Sequence, residues 1–457
     1  MEQEEGWAAN EFREVDLGDK RRTKRLIRLA EERSERPNGS ISASCGGKAA
    51  TKAAYRFLDN EAVGAEAILD GHYQASTERA AGEKIVLAVQ DTTELNYTSH
   101  PSTQGIGYLQ GLTIRGILVH STLLVTPQRV PLGLIDQQVW VRPDEEFRRE
   151  RKQRKKLPTE VKESQKWLVS LEATARFQQR LGDTRLISVG DSEADVFDLF
   201  RKAEQLHQDI LVRASVNRLV DQEERLLWNY LNHQPLAGEI LLQVPRHTGQ
   251  PTRKAHLEVR FATVSIRPPQ RRKKENLPSV HLWGVLAQEV DAPADVEAIN
   301  WLLLTTLTVE TLDQACTCMA WYSCRWVIET YHKVLKSGCR VEERQFADLE
   351  NIQRYLALDA VVAWRVLYLT MLGRDQPDLP CTVILETYEW QALFCFVYHT
   401  NHPPHNPPSL REATRWIAQL GGFLGRKSDG SPGPMSIWRG LQRLSDIADA
   451  WLVFHVN

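Results

Sequence analysis

The chain has 457 residues, more than one ordinary core organises, and at roughly 150 residues per domain it predicts about three domains. With 42% hydrophobic residues, 25% charged residues and a formal net charge of −2, it reads as soluble and globular, and its overall charge does not mark a nucleic-acid binder. Seven scattered cysteines give no disulfide framework, the N-terminal MEQEEGWAANEF is acidic, and no run approaches about 18 continuous apolar residues, so a reducing cytosol is expected and secretion or membrane insertion is not.

Residues 1–72 read as a small helical unit. Its sharpest element is LGDKRRTKRLIRLAEERSERP, with Asp19 as the cap and Pro37 beyond the end. Lys20, Arg21, Arg22, Lys24, Arg25 and Arg28 give it a basic face without an acidic residue, and Lys48, Lys52 and Arg56 give a second helix another. From Ile85 the pattern changes to short apolar runs, IVLAV, ILVHSTLLV and VPLGLIDQQVWV, which predict three neighbouring antiparallel strands. A mixed-charge segment from Arg142 to Lys166 follows, then a helix over about 164–181, a strand at Leu186–Gly190, a helix over about 193–205 and a strand at Ile210–Ser215. That order is a mixed α/β one. Residues 217–300 interrupt it with β-like runs and the basic RPPQRRKKENLP, before it resumes at WLLLTTL. After Gly373 the chain is proline-containing and then helical again, and HTNHPPHNPP reads as a loop without regular metal-ligand spacing.

The chemistry concentrates on three carboxylates. Asp91 directly follows the apolar run IVLAVQ, and Asp191 directly follows LISVG. An acidic residue just past a buried strand keeps its head group at the sheet edge, although Asp191 before SEADVFDLF reads equally as a helix N-cap. YSCRWVIETYHKVLK, Tyr322 to Lys336, reads as one amphipathic helix in which Tyr322, Arg325, Glu329, Lys333 and Lys336 fall within about 80° of one another. Such a stripe is also what an ordinary solvated helix presents. Two strand-end aspartates and Glu329 form a hard, all-oxygen set suited to Mg²⁺ or Mn²⁺, and two such ions can serve the attacking and leaving oxygens of a phosphodiester.

The spacing Y-x2-R-x3-E-x6-K, met by Tyr322, Arg325, Glu329 and Lys336, resembles the YREK signature of bacterial DDE transposases of the insertion-sequence-four family. VQDTTELNY, VGDSEADVF, WLLLT, RWVIETYHKVLKSG, LGDKRRTKRL, AAYRFLDN and LGGFLG are similar to its Tn-five-like members, so the resemblance spans most of the chain. It implies an RNase H-like α/β catalytic core, a mixed sheet with helices over 73–373 carrying a β-rich insertion at about 217–300. It also implies a helical DNA-binding domain over 1–72 and a helical dimerisation domain over 374–457. Carried over, Asp91, Asp191 and Glu329 would be the catalytic metal ligands, with two Mg²⁺ or Mn²⁺ ions per site. Tyr322, Arg325 and Lys336 would hold the DNA end, with Lys333 on the same stripe. Trp301 would stack a flipped base, or else be core at the start of an apolar strand. Arg213, Asn217 and Arg218 would contact the DNA backbone, and the Lys20–Arg28 cluster would recognise the end. The sequence departs from the family at DSEAD, where DREAD is usual, losing a basic neighbour of Asp191.

The implied activity is cut-and-paste transposition through a hairpin intermediate, by a cytoplasmic homodimer acting on double-stranded DNA. The alternatives are a catalytically silent, transposase-derived DNA-binding regulator and an RNase H-like nuclease that needs no paired ends.

Overall fold

The computed structural model describes residues 6–109, 113–142, 162–244, 253–294, 296–426 and 429–455. The chain opens with helices α1 (Trp7–Glu11), α2 (Lys20–Glu35), α3 (Ile41–Ser44), α4 (Lys48–Leu58) and α5 (Ala65–Ala80). Asp19 caps α2 by accepting from the Arg21 amide, and Leu26, Leu29 and Ala30 form its buried face. The expected boundary at 72/73 falls inside α5, which continues through Ala80.

Strands β1 (Ile85–Asn96), β2 (Gly107–Tyr108), β3 (Arg115–Val125) and β4 (Pro131–Trp140) follow. The mixed-charge segment after them lies largely outside the described residues. Next come α6 (Gln165–Gln178), β5 (Arg185–Gly190), α7 (Phe197–Leu206), β6 (Asp209–Arg213), α8 (Leu227–Asn232), β7 (Gly238–Val244), β8 (Arg253–Ile266), β9 (Val280–Val290) and β10 (Asn300–Thr305). The last elements are α9 (Leu312–Ser323), α10 (Trp326–Lys333), α11 (Leu349–Asp375), α12 (Thr387–Tyr398), α13 (Leu410–Leu420) and α14 (Pro434–His455).

Two compact units divide these elements. One comprises Met1–Gly82, Thr92–Arg149 and Val327–Asn457, and the other Glu83–Asp91 and Glu150–Trp326. In the second, the first half of β1 runs parallel to β5, β5 runs parallel to β6, and β6 is antiparallel to β10. The β-rich insertion does not stand apart: β10, β9, β8 and β7 form an antiparallel meander that continues the same sheet. Pairing this way satisfies the ladder groups that β10 would otherwise present as an open edge. Trp167, Phe197, Phe200, Ile210, Leu302 and Leu304 belong to the core beneath it.

In the first unit β3 pairs antiparallel with β2 and β4. Gly133, at φ 138°, lets α5 approach β4, because a Cβ there would run into Ser76. Helix α11 is long and apolar enough to cross a membrane, but 78% of its apolar window is buried, and it packs on α5, β4 and α2. The expected boundary at 373/374 lies in its last turn. Asp359 of α11 and Arg33 of α2 form a fully buried pair, with Arg33 Nε 3.1 Å from Oδ1 and Nη2 3.3 Å from Oδ2. The remaining Arg33 donors go to the carbonyls of Arg36, Pro37 and Gly39 and to Ser44 Oγ. A second buried network joins α1 and α5 to β4. His72 Nε2 accepts from the Leu134 amide at 2.9 Å, so Nδ1 carries the proton and donates to Glu11 at 2.5 Å, while Arg79 forks onto the same carboxylate at 2.8 and 3.0 Å.

The helix expected to run unbroken from Tyr322 to Lys336 is interrupted twice. The Arg325 amide bonds to the Tyr322 carbonyl at 3.0 Å, a tight i→i−3 turn that separates α9 from α10. Residues Val334–Gly338 then form a π turn closed by the Cys339 amide on the Val334 carbonyl. Neither break involves proline, so the sequence carries no marker for them.

Candidate active site

The apolar residues of β1 and β5 are buried through Val89 and Val189, which are register partners in the parallel pair. Asp91, midway along β1, and Asp191, just past the end of β5, each lie two residues further on, so the two residues sit at the same level of neighbouring strands, which run about 4.8 Å apart. Asp191 also fulfils the cap reading: its Oδ1 accepts from the Glu193 amide at 2.8 Å at the start of the short 3₁₀ turn Ser192–Ala194. Burial pushes its pKa up; the Glu193 amide pulls it down, the Glu193 carboxylate adds to the rise, and Arg325 and Lys166 oppose it. Lys166, nearly buried and 3.0 Å from Glu193 Oε2, supplies a basic group near Asp191 where DSEAD lacks the usual arginine.

Arg325 sits in the turn between α9 and α10, with Nη1 3.4 Å from Asp91 Oδ2. Tyr322, at the end of α9, is buried; burial raises its phenol pKa, Arg325 and Arg213 draw it back, and Asp191 is also within electrostatic reach. Trp301 is only 8% exposed, and meets Tyr322 edge-on at 5.5 Å and Trp326 edge-on at 6.3 Å. Trp326, by contrast, is 42% exposed. The second unit thus brings Asp91, Asp191, Arg325, Tyr322, Arg213 and Trp301 together. In the loop after β6, Arg218 is largely taken up by the buried Asp195, with Nε 2.8 Å from Oδ1, and the exposed Asn217 accepts from the Trp228 amide.

The other candidates belong to the first unit. Glu329 is exposed in the first turn of α10, and Lys333 is exposed in its last. Lys336, carried on the π turn, donates to the Glu94 carbonyl at 2.8 Å and lies 3.6 Å from Glu342 Oε1. On α2, Arg21 pairs with Asp19, Arg22 donates to the Leu17 carbonyl and Arg28 pairs with Glu32. Lys20 and Lys24 are exposed and Arg25 half-buried.

Among the described residues, no group of three or more His, Cys, Asp or Glu side chains is gathered closely enough to hold a metal ion. Asp91 and Asp191 nevertheless offer the hard oxygen donors that Mg²⁺ and Mn²⁺ take. Sequence reasoning overlooked Trp326 and Lys166. An aromatic residue beside Arg325 was a readable signal for the first, whereas nothing local distinguishes Lys166 from its charged neighbours.

The family described as Transposase DDE domain matches residues 135–364, just over half of the chain. Transposase DNA-binding matches residues 4–63, and Transposase Tn5 dimerisation domain matches residues 361–451. A solved structure described as a piggyBac transposase synaptic complex with hairpin DNA is similar with a TM-score of 0.30 and 10% identity. The match covers 72% of this chain and 56% of that one, so this chain spans little more than half the length of that relative.

Proposed function

Because the chain belongs to the Transposase DDE domain family, we propose that it is a cut-and-paste DNA transposase acting as a homodimer on paired transposon ends. The observation that carries the catalytic reading is the placement of Asp91 and Asp191 at one level of adjacent parallel strands, with the Arg325 guanidinium 3.4 Å from Asp91. Asp91, Asp191 and Glu329 are the proposed metal ligands. The chemistry supplied by bound Mg²⁺ or Mn²⁺, two ions per site, is polarisation of the scissile phosphate and activation of the attacking oxygen.

The remaining residues bind and orient. Arg325 presents a planar fork to a backbone phosphate, and Lys336 and Lys333 add point charges. Tyr322 fixes the Arg325 turn from within. For a base displaced from the DNA end, Trp326 supplies an accessible indole face and Trp301 the buried indole behind it, and stacking offsets part of the unstacking cost. Arg213, Asn217 and Arg218 line the loop along which the backbone runs, and Lys20, Arg21, Arg22, Lys24, Arg25 and Arg28 recognise the end. Water nicks one strand, the freed 3′-hydroxyl attacks the opposite strand to close a hairpin, a second water reopens it, and the same hydroxyl joins target DNA. Dimerisation is supported by the family match over 361–451 and by Phe396, Tyr398, Val453 and Phe454, large apolar side chains exposed on α12 and α14. The protein works in the cytoplasm, on the nucleoid when DNA-bound.

The test is a denaturing gel of labelled duplexes from the DNA flanking the gene, incubated with protein and Mg²⁺ beside Asp91→Ala. A nick followed by a hairpin, absent with Asp91→Ala, is expected. Binding without strand breakage would point to a silent regulator, and cutting of single ends without hairpins to a nuclease.

A further inference from the structure

The middle of β3 breaks an apolar run with three consecutive polar residues, His120, Ser121 and Thr122, none of which has any solvent exposure. In the antiparallel register they face Gln138, Gln137 and Asp136 of β4, so two neighbouring strands carry a polar block through an otherwise hydrophobic layer. Burying such groups costs free energy that Val, Leu or Ile at the same positions would not. Two hydrogen bonds hold part of it, Gln138 Nε2 donating to Asp136 Oδ2 at 2.8 Å and His120 Nδ1 lying 2.9 Å from Thr92 Oγ1 on β1, whereas the buried Ser121 and Thr122 hydroxyls find no partner among the described residues.

Thr92 immediately follows Asp91 in β1. Side chains alternate across a strand, so a threonine held on the His120 side sends the preceding aspartate to the opposite face. A local rotation of the pleat there would turn the carboxylate away from Asp191. We propose that His120 is a positioning residue for Asp91, acting through its hydrogen bond to Thr92. This rests on the reading of Asp91 as a metal ligand. The polar block then has a purpose beyond packing: it fixes the strand at the point where the buried ladder gives way to the site.

The experiment is an electron paramagnetic resonance titration of the full-length protein with Mn²⁺, alongside thermal unfolding and the Mg²⁺ dependence of strand cleavage. Thr92→Val keeps shape and removes the hydroxyl; it is expected to raise the half-saturating Mn²⁺ concentration about 5- to 10-fold. Thr92→Ser is expected to stay within about twofold of wild type, and His120→Leu to match Thr92→Val, with the double variant no worse than either single one. Unchanged Mn²⁺ binding by Thr92→Val, when Asp91→Asn has lost it, overturns the positioning role alone. A His120→Leu variant that unfolds at lower temperature yet binds Mn²⁺ normally also overturns it, making the histidine a core residue. Normal Mn²⁺ binding by Asp91→Asn would instead remove the metal-ligand reading on which the inference stands.

Discussion

Arg33 and Asp359 are opposite charges without solvent exposure, and the arginine is surrounded by carbonyls and a hydroxyl that take its remaining protons. Asp91 and Asp191 are like charges, half-buried, at one level of two adjacent parallel strands. In the first arrangement each buried ion is met by its complement, whereas in the second the carboxylates stay half-buried, with Arg325 3.4 Å from Asp91 and Arg325 and Lys166 near Asp191 offsetting their charge in part.

That contrast can be broken by substitution. Asp91→Asn and Asp191→Asn each cost at least about 10³-fold in strand cleavage, several kcal/mol of transition-state stabilisation. Their thermal midpoints stay near that of wild type, because both carboxylates are half-buried and only partly paired; a large drop in midpoint would move the aspartates to the structural side. Asp359→Leu does the reverse. It leaves Arg33 buried without its counter-ion and lowers unfolding free energy by about 3–5 kcal/mol in denaturant titrations, with Arg33→Met/Asp359→Leu recovering much of the loss.

The Glu11 network sharpens the comparison through pH. Burial alone would raise Glu11, but His72 and Arg79 overcome it and hold the carboxyl at about 2, while burial holds His72 below its ordinary 6.5. Both folded-state values are depressed, so both contributions are complete above the ordinary values and are lost as pH falls. The unfolding midpoint therefore declines from about pH 6.5 downward, and Glu11→Gln flattens the part below about 4.5 while costing about 1–3 kcal/mol at neutral pH. A profile unchanged by the substitution would sever Glu11 from the acid response. The smallest effect is at the surface: Lys24→Ala leaves the midpoint in place and reduces the slope of log affinity for end DNA against log salt by about 0.9. An unchanged slope would place Lys24 off the DNA.

Asp91 and Asp191 stood out as candidates because their signal is local, an apolar run followed by a carboxylate; the strand end expected at Asp91 is not there, since β1 runs on through Asn96, whereas β5 does stop at Gly190. The α/β order was legible for the same reason. The breaks on either side of α10 were not: Arg325 and Lys336, which lie at them, meet Asp91 and the Glu94 carbonyl, more than two hundred positions away. Nor could Arg33 be told from the six arginines and lysines of the basic face: it shares their helix, and only the distant Asp359 gives it a different role. Trp301 illustrates the same limit, because its burial is decided by Tyr322 and Trp326 rather than by WLLLTTL.

Helix α11 reaches the N-terminal helices repeatedly. Asp359 takes Arg33 of α2, and Arg354 donates to the carbonyls of Leu58, the last residue of α4, and of Val63 beyond it. The segment that meets DNA is therefore not a portable cassette, although it comes first in the chain. Exchanging it between relatives as a way of retargeting such a protein would transplant half of an interlock, and the graft would hold only if the matching positions near residues 354 and 359 travelled with it.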